Sequence, residues 1–150
     1  MKEKIEEFDL LLNRLAVLYT PNSIKDFENK PTENKWSKKE ILGHLIDSAL
    51  NNIQRFTEIQ YTEKPYQIRP YNQDALVKYN DYQSKNNQEL YDLWLKLNEH
   101  ISHLIKLQTE ETLKFQLCLS NGELSDLNFL INDYFEHFYY HINQINTKWT

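Results

Sequence analysis

The scarcity of chain-breaking residues constrains the fold of this protein more than any other feature of its sequence. The 150 residues include only two glycines and four prolines. A sandwich or barrel of many short strands needs more turns than these residues supply, whereas a few long helices need few. The sequence therefore predicts an all-α fold. With 40% hydrophobic residues, a chain of this length can bury the core of a single domain, residues 1–150.

Apolar residues recur at helical spacing in four long segments. The first predicted helix begins near Ile5 and ends before Pro21, and the polar residues 21–35 are expected to form a surface connection. The second predicted helix begins with a capping box. In this motif the side chains of Ser37 and Glu40 each accept a hydrogen bond from the other residue's backbone N–H, which gives the helix a defined start.

The third predicted helix follows a proline-containing loop at residues 60–72. A first helical piece, Gln73–Tyr79, is expected to break in the asparagine-rich run Asn80–Asn87. A long helix with apolar residues from Leu90 to Ile105 then follows.

A short hairpin-like link, Thr112–Leu124, is predicted around Asn121-Gly122, because this dipeptide suits a turn with positive φ. Ser125 is predicted to cap the fourth helix. Four helices in antiparallel succession would form an antiparallel four-helix bundle, with the second and fourth helices side by side across the core.

The composition of the chain limits which partners and which cellular location are expected. The net charge of −5 lacks the basic surface that phosphate binding needs, so we expect no nucleic-acid partner. No segment approaches the length of a membrane span, and the first residues have no uninterrupted apolar stretch, so a cytoplasmic location without membrane attachment is expected. Cys118 is the single cysteine, which excludes an intramolecular disulfide, and it is expected to be buried packing.

The fourth predicted helix carries His137 and His141 four residues apart, at the edge of its apolar stripe. At about 100° per residue they share one helix face, with Cβ atoms about 5–6 Å apart, so both imidazoles can reach one metal ion. The alternative is a half-buried or surface pair without a metal, because this motif alone has low specificity. His100 and His103 on the third predicted helix are expected to pack at its surface or edge.

The second predicted helix supplies a candidate for the third ligand. A line of polar residues, His44, Ser48, Asn51 and Arg55, runs beside its apolar stripe at helical spacing. Lysine and glutamate, which are common on solvated helix faces, are missing from this line. We therefore expect His44 to converge with the histidine pair of the fourth helix, as three imidazoles do in catalytic metal sites.

Three segments of the chain resemble the DinB-like, or YfiT-like, superfamily of metal-dependent hydrolases and thiol transferases. They are WSKKEILGHLIDSALNNIQRF, IRPYNQDALVKYNDYQ and LNFLINDYFEHFYYHINQI. They occur in the family's order and spacing, and together cover about residues 36–147. The resemblance implies a four-helix bundle of DinB/YfiT type in which His44, His137 and His141 hold a divalent metal ion. Zinc or nickel is expected, with iron or cobalt as alternatives, because imidazole accepts all four.

The resemblance also implies a reaction. Members of the superfamily are similar to bacillithiol- or mycothiol-dependent enzymes, so the expected partners are a small-molecule thiol and an electrophile, and the expected function is thiol transfer. One alternative is a hydrolase that uses metal-activated water. Another is a non-enzymatic metal-binding dimerisation module.

Four charged residues are candidates for supporting roles at such a site. Asp47, Asp133 and Glu136 are expected either to orient an imidazole or move a proton, or to be ordinary surface acids. Arg55 is expected to pair either with a substrate carboxylate or with an acid on the third helix.

The fourth predicted helix is also rich in aromatic residues. Phe135, Phe138, Tyr139 and Tyr140 cannot all lie on one stripe, so part of this face is expected to form a homodimer interface.

Overall fold

The computed structural model describes residues 1–146, so the end of the predicted domain and the last residue of the family-like region, at about 147, lie outside the described residues. The regular elements in chain order are α1 (Lys2–Leu18), α2 (Lys38–Tyr61), β1 (Tyr66–Gln67), α3 (Gln73–Asn80), α4 (Asn87–Lys106), β2 (Gln116–Cys118), β3 (Leu124–Asp126) and α5 (Leu127–Asn146). Single 3-10 turns lie at Tyr82–Ser84 and Thr112–Lys114. The predicted helical fold is confirmed: α1, α2, α4 and α5 form a four-helix bundle.

The helix directions follow from contacts near the helix ends. In α1 and α5, which run the same way, Lys4 bonds to Asn132 and Tyr19 to Asn146. Helices α2 and α4 also run parallel to each other, because the residue before α2, Ser37, bonds to Gln83 ahead of α4, while Gln60 at the end of α2 bonds to Gln108 just beyond α4. The antiparallel succession therefore fails between α2 and α4, since the chain returns across the bundle before starting α4. It holds between α1 and α2 and between α4 and α5. As a result, α2 and α5, the pair that carries the histidines, run antiparallel, whereas an unbroken antiparallel succession would have made them parallel.

The long connections carry a small sheet with strand order β1-β2-β3. Strands β2 and β3 pair antiparallel and form the predicted hairpin, with Gly122 at φ +88° in its turn. Strand β1 pairs parallel with β2 and was not predicted from the sequence, because two residues between polar loops give no alternation to detect.

Local signals set several helix boundaries correctly. In the capping box of α2, Ser37 Oγ accepts from the Glu40 N–H at 3.0 Å and a Glu40 carboxylate oxygen accepts from the Ser37 N–H at 3.1 Å. The predicted break before α4 is confirmed as well, since Asp81 adopts φ +49° and ends α3.

The predicted cap of the last helix is wrong. Ser125 lies inside β3, and the carboxylate of the next residue, Asp126, accepts the backbone N–H of Phe129 at 2.8 Å. Pairing with β2 keeps Ser125 extended, so the helix starts one residue later.

The aromatic residues of α5 are largely internal. Phe135 and Phe138 are buried, and the ring of Phe8 from α1 lies 5.0 Å from each. Tyr139 is half-buried, and only Tyr140 is well exposed. The argument for a dimer interface therefore loses two of its four residues, and the homodimer stays a prediction.

The first half of α2 is enclosed on all sides, because every residue from Ser37 to Ala49 is buried. One cover is the 21–35 connection, which packs more closely than predicted: Phe27 is buried and its carbonyl accepts the Lys39 N–H at 2.9 Å. His44 therefore lies on a helix segment that the fold holds in place. Within residues 1–146, each helix lacks the length or the apolarity needed to cross a membrane.

Candidate metal centre

Three histidines converge where α2 crosses α5. His44 Nε2 lies 2.9 Å from His137 Nε2, and the ring centroids of the three imidazoles are 4.5 to 4.9 Å apart. One nitrogen from each of His44, His137 and His141 falls within 4.8 Å of the others. The antiparallel packing of the two helices thus assembles a group that could bind a metal ion.

The spacing of the nitrogens suits a small divalent ion. Tetrahedral coordination at 2.0–2.1 Å places two ligand nitrogens roughly 3.3 Å apart. The separation of 2.9 Å between His44 and His137 and the limit of 4.8 Å for the whole group bracket this value. Small side-chain rotations would bring the three nitrogens closer to this spacing.

Burial keeps these imidazoles neutral, which is the form that binds metals. Loss of hydration, together with repulsion from the other two histidines, lowers the pKa of His44 from 6.5 to about 3. Burial, with a contribution from His141, lowers the pKa of His137 to about 4. The pKa of His141 is lowered by burial, against the opposing effect of its hydrogen bond to Gln144. All three lone pairs are therefore available at neutral pH.

Neighbouring side chains orient two of the rings. His141 Nδ1–H donates to the Gln144 side-chain oxygen at 2.6 Å, which leaves the lone pair on Nε2, the nitrogen suited to a metal. Ser48 Oγ lies 3.4 Å from His137 Nδ1. The ring of Trp36 lies 5.0 Å from that of His44, tilted by 36°. The sequence analysis did not assign Trp36 or Gln144 to the site, although Gln144, three residues after His141, could have been found by helical spacing.

The Nδ1 atom of His44 is buried and has no hydrogen-bond partner among the described residues. A buried imidazole nitrogen without a hydrogen-bond partner costs folding free energy. If the other nitrogen of this ring bound a metal ion, Nδ1 would carry the proton and would need an acceptor.

Asp47, one helical turn from His44, is buried against α3 and the following turn. Its Oδ1 accepts from the Tyr82 hydroxyl at 2.6 Å and from the Asn80 amide at 2.9 Å. Its Oδ2 is buried with no partner among the described residues. Burial raises the pKa of Asp47, and the two hydrogen bonds oppose the rise. The predicted contact with an imidazole is not among its hydrogen bonds in the structure.

Gly43 explains how Tyr82 reaches Asp47. A Cβ atom on this glycine would lie 2.2 Å from a ring carbon of Tyr82, so only glycine lets the ring pack flat against α2. The sequence carried no signal for Tyr82 as a member of this region.

The other predicted residues lie further along the two helices. Asp133 lies on α5, one turn before His137, and most of the residue is exposed. Its carboxyl group is partly buried, and this burial and repulsion from Glu136 raise its pKa, while Arg55 lowers it. Glu136 is exposed. Arg55 donates to the backbone oxygen of Arg69 at 2.9 Å, and its described interactions include no acid on α4.

Comparison with known proteins supports the fold and leaves the activity open. No protein-family model matches the sequence, and no curated protein matches it. Among solved structures, YfiT from Bacillus subtilis, described as a probable metal-dependent hydrolase with an unusual four-helix bundle topology, is similar with a TM-score of 0.76 and 22% identity, over 97% of this chain and 85% of that chain.

A second similar protein is the mycothiol-dependent maleylpyruvate isomerase, with a TM-score of 0.69 and 14% identity over 99% of this chain. A point mutant of that isomerase has a TM-score of 0.70 and 11% identity. This chain spans 62% of the isomerase. At these identities the likeness establishes a shared fold, the DinB/YfiT-like bundle that the sequence predicted.

Proposed function

We propose that this protein is a metal-dependent enzyme that activates a low-molecular-weight thiol, of the bacillithiol type, for transfer to an electrophile. One observation carries the proposal: three neutral imidazoles from two helices converge within 4.8 Å. A fourth protein ligand is not among the residues grouped there, which is typical of catalytic rather than structural metal sites. The fold shared with a mycothiol-dependent isomerase supports a thiol as co-substrate.

His44, His137 and His141 would hold the ion, with zinc or nickel as the expected metal and iron or cobalt as alternatives. A bound divalent ion lowers the pKa of a coordinating thiol, and so supplies the thiolate nucleophile at neutral pH. Every further contribution comes from the side chains around the three histidines.

Asp47 is the residue we assign to orienting His44. The buried Nδ1 of His44 and the buried Oδ2 of Asp47 have no hydrogen-bond partner within residues 1–146, and the two residues lie one turn apart on α2. Ligating histidines usually donate their second nitrogen to a carboxylate or a backbone carbonyl. A bond from Nδ1–H to Oδ2, direct or through one water, would satisfy both atoms and fix Nε2 as the ligand. Tyr82 and Asn80 hold the other carboxylate oxygen in place.

Asp133 is the residue we assign to proton transfer. It lies one turn from His137 on the exposed end of the site, and partial burial of its carboxyl and Glu136 raise its pKa toward the range in which a carboxyl exchanges protons.

Metal content tests the first half of the proposal. The purified protein should retain or bind about one equivalent of zinc or nickel, measured by elemental analysis and calorimetry. Asp47→Asn should lower the affinity for the ion about 10–100-fold, the usual effect of losing the residue that orients a ligating histidine. Asp74→Asn, on the exposed first turn of α3, is the matched control. A protein that binds no divalent ion would refute the proposal.

Activity assays test the second half. The metal-loaded protein should transfer bacillithiol to a chlorinated or epoxide acceptor, and omission of the thiol should abolish product. Hydrolysis of esters or amides without any thiol would instead establish the second candidate function, which the likeness to a probable metal-dependent hydrolase favours. That reaction keeps the same three histidines and uses water as the nucleophile.

A further inference from the structure

Two of the three arginines in the sequence line one cavity, which we call the arginine cavity. It has a volume of about 440 Å³, within the range of small-ligand sites. Its walls are formed by the second half of α2 and the segment around β1. The lining residues are Asn51, Gln54, Arg55, Tyr66, Arg69 and Pro70.

Contacts within the protein order the Arg55 side chain in this cavity. Its guanidinium donates to the Arg69 carbonyl at 2.9 Å and lies 5.4 Å from the centroid of the Tyr71 ring. The side chain is half-buried, so its charge is less screened by salt than that of an exposed arginine. Because the side chain is already ordered, a ligand that binds it pays little further entropy.

The charges around the cavity favour a singly charged anion. The Glu58 carboxylate accepts from the Tyr66 hydroxyl and the Gln54 amide at 2.7 Å each, and lies 4.0 Å from Arg69. The carboxyl of Asp133 also interacts with Arg55. The two carboxylates offset much of the positive charge of the two guanidinium groups, so they repel a dianionic phosphate more strongly than a singly charged carboxylate. A guanidinium can bind such a carboxylate through two parallel hydrogen bonds.

The cavity lies on the same face of α2 as the histidine centre. Arg55 follows His44 by eleven residues, which places it about 16 Å along the axis and within about 20° around it. Ser48, which lies beside His137, and Asn51, which lines the cavity, are intermediate positions on this face. A molecule about 16 Å long that followed this face would contact both places.

We propose that the arginine cavity binds the carboxylate of a small molecule whose reactive end reaches the three histidines. Arg55 is the main contact, and Arg69 adds a second, more exposed cation. Recognition of the carboxylate stands on the cavity alone. The link to the histidines rests on the proposed function, in which the molecule is either the thiol or its electrophilic acceptor.

The cavity is tested in metal-free protein, so the result does not depend on the proposed function. Butyrate and its neutral analogue butyramide are titrated while the Arg55 Nε–H signal is followed by NMR. Butyrate should shift this signal and bind at least about tenfold more tightly than butyramide or inorganic phosphate. Arg55→Gln should remove the preference, and Arg14→Gln, which changes an exposed arginine on α1, should retain it. Equal binding of butyrate and butyramide, tighter phosphate binding, or an unchanged preference in Arg55→Gln would overturn the proposal.

The link to the histidines is tested with a molecular ruler on metal-loaded protein. Mercapto-carboxylic acids of increasing chain length are compared by calorimetry with mercapto-alcohols of equal length. The acid should bind about tenfold more tightly than the alcohol only at the lengths that span the two places, and Arg55→Gln should abolish this preference. A preference that is equal at every length would overturn the link. The same ruler applied as chloroalkyl carboxylic acids, from which a fixed thiol displaces chloride to form a thioether, identifies which substrate carries the carboxylate.

Discussion

The protein contains two histidine pairs at helical spacing, and only one of them joins a site. His137 and His141 on α5 are partly buried and meet His44 from α2. His100 and His103 on α4 are exposed, with rings 6.0 Å apart at an angle of 21°, and the described residues place no third histidine, cysteine or carboxylate with them in a ligand group. Spacing gives two imidazoles on one face, but a metal site requires a neighbouring element that brings another ligand.

The difference between the pairs lies in what faces them. Helix α5 presents its pair to the buried half of α2, whereas α4 presents its pair to solvent. Burial also removes water that would otherwise compete for the imidazoles, and keeps them neutral. Matched substitutions in the two histidine pairs test this difference.

Replacing one ligand should have the largest effect. His137→Gln should weaken zinc or nickel binding by more than about 100-fold, beyond the loss caused by removing an orienting partner. His103→Gln makes the same change in the exposed pair and should leave the affinity unchanged. Calorimetric titration of both variants measures the difference. Comparable losses in the two variants would show that the ion binds elsewhere.

Acid should destabilise the metal-free protein through the buried histidines. The unfolded histidines titrate near 6.5, while burial holds the pKa of His44 at about 3 and that of His137 at about 4. Between these values the unfolded chain binds more protons, so the histidine contribution is complete above pH 6.5 and is lost as the pH falls toward 4.

We expect the free energy of unfolding to fall by about 1–3 kcal/mol from pH 6.5 to 4.5 because of this cluster. The double variant His44→Gln/His137→Gln should lose that part of the pH dependence, and His100→Gln/His103→Gln should keep it. Urea unfolding at several pH values gives the slopes. Identical slopes for wild type and the first double variant would contradict the expectation.

The packing of the Tyr82 ring against Gly43 of α2 should not tolerate one added methyl group. Gly43→Ala forces the Tyr82 ring away, since the new Cβ would lie 2.2 Å from it. The expected cost is about 1–3 kcal/mol of folding free energy, because overpacking outweighs the gain in helix propensity. Metal affinity should fall with it, because His44 follows Gly43 directly.

A double-mutant cycle checks the cause. In the background Tyr82→Ala, Gly43→Ala should cost much less, because the clash has been removed. Additive effects would show that the glycine is needed for some other reason. The exposed pair on α4 should be unaffected in every one of these variants, and serves as the internal control in NMR spectra.

Loss of the hydrogen bond to His141 should have the smallest effect. Gln144→Leu removes the acceptor that lies 2.6 Å from Nδ1 and should weaken metal binding about tenfold. Gln144→Glu retains an acceptor and should bind the ion as tightly as wild type or more so. Affinity unchanged in Gln144→Leu would mean that packing alone orients the ring.

Much of the fold was predictable because its signals are local. The capping box at Ser37, the break near Asp81 and the turn at Gly122 each depend on a few neighbouring residues, and the structure confirms them. The prediction at Ser125 failed because pairing between β2 and β3, a contact between distant residues, holds it in a strand. The direction of α4 relative to α2 was likewise set by the route of the long connection.

For the candidate site, the sequence was enough to identify which histidines share a helix face, because that depends only on the helical repeat. It also indicated His44, through the unusual polar line on α2. The packed structure was needed to show that α2 faces α5, that Asp47 binds Tyr82 and Asn80, and that Arg55 and Arg69 line one cavity. These contacts join residues far apart in the chain, and packing of whole helices, not local propensity, selects them.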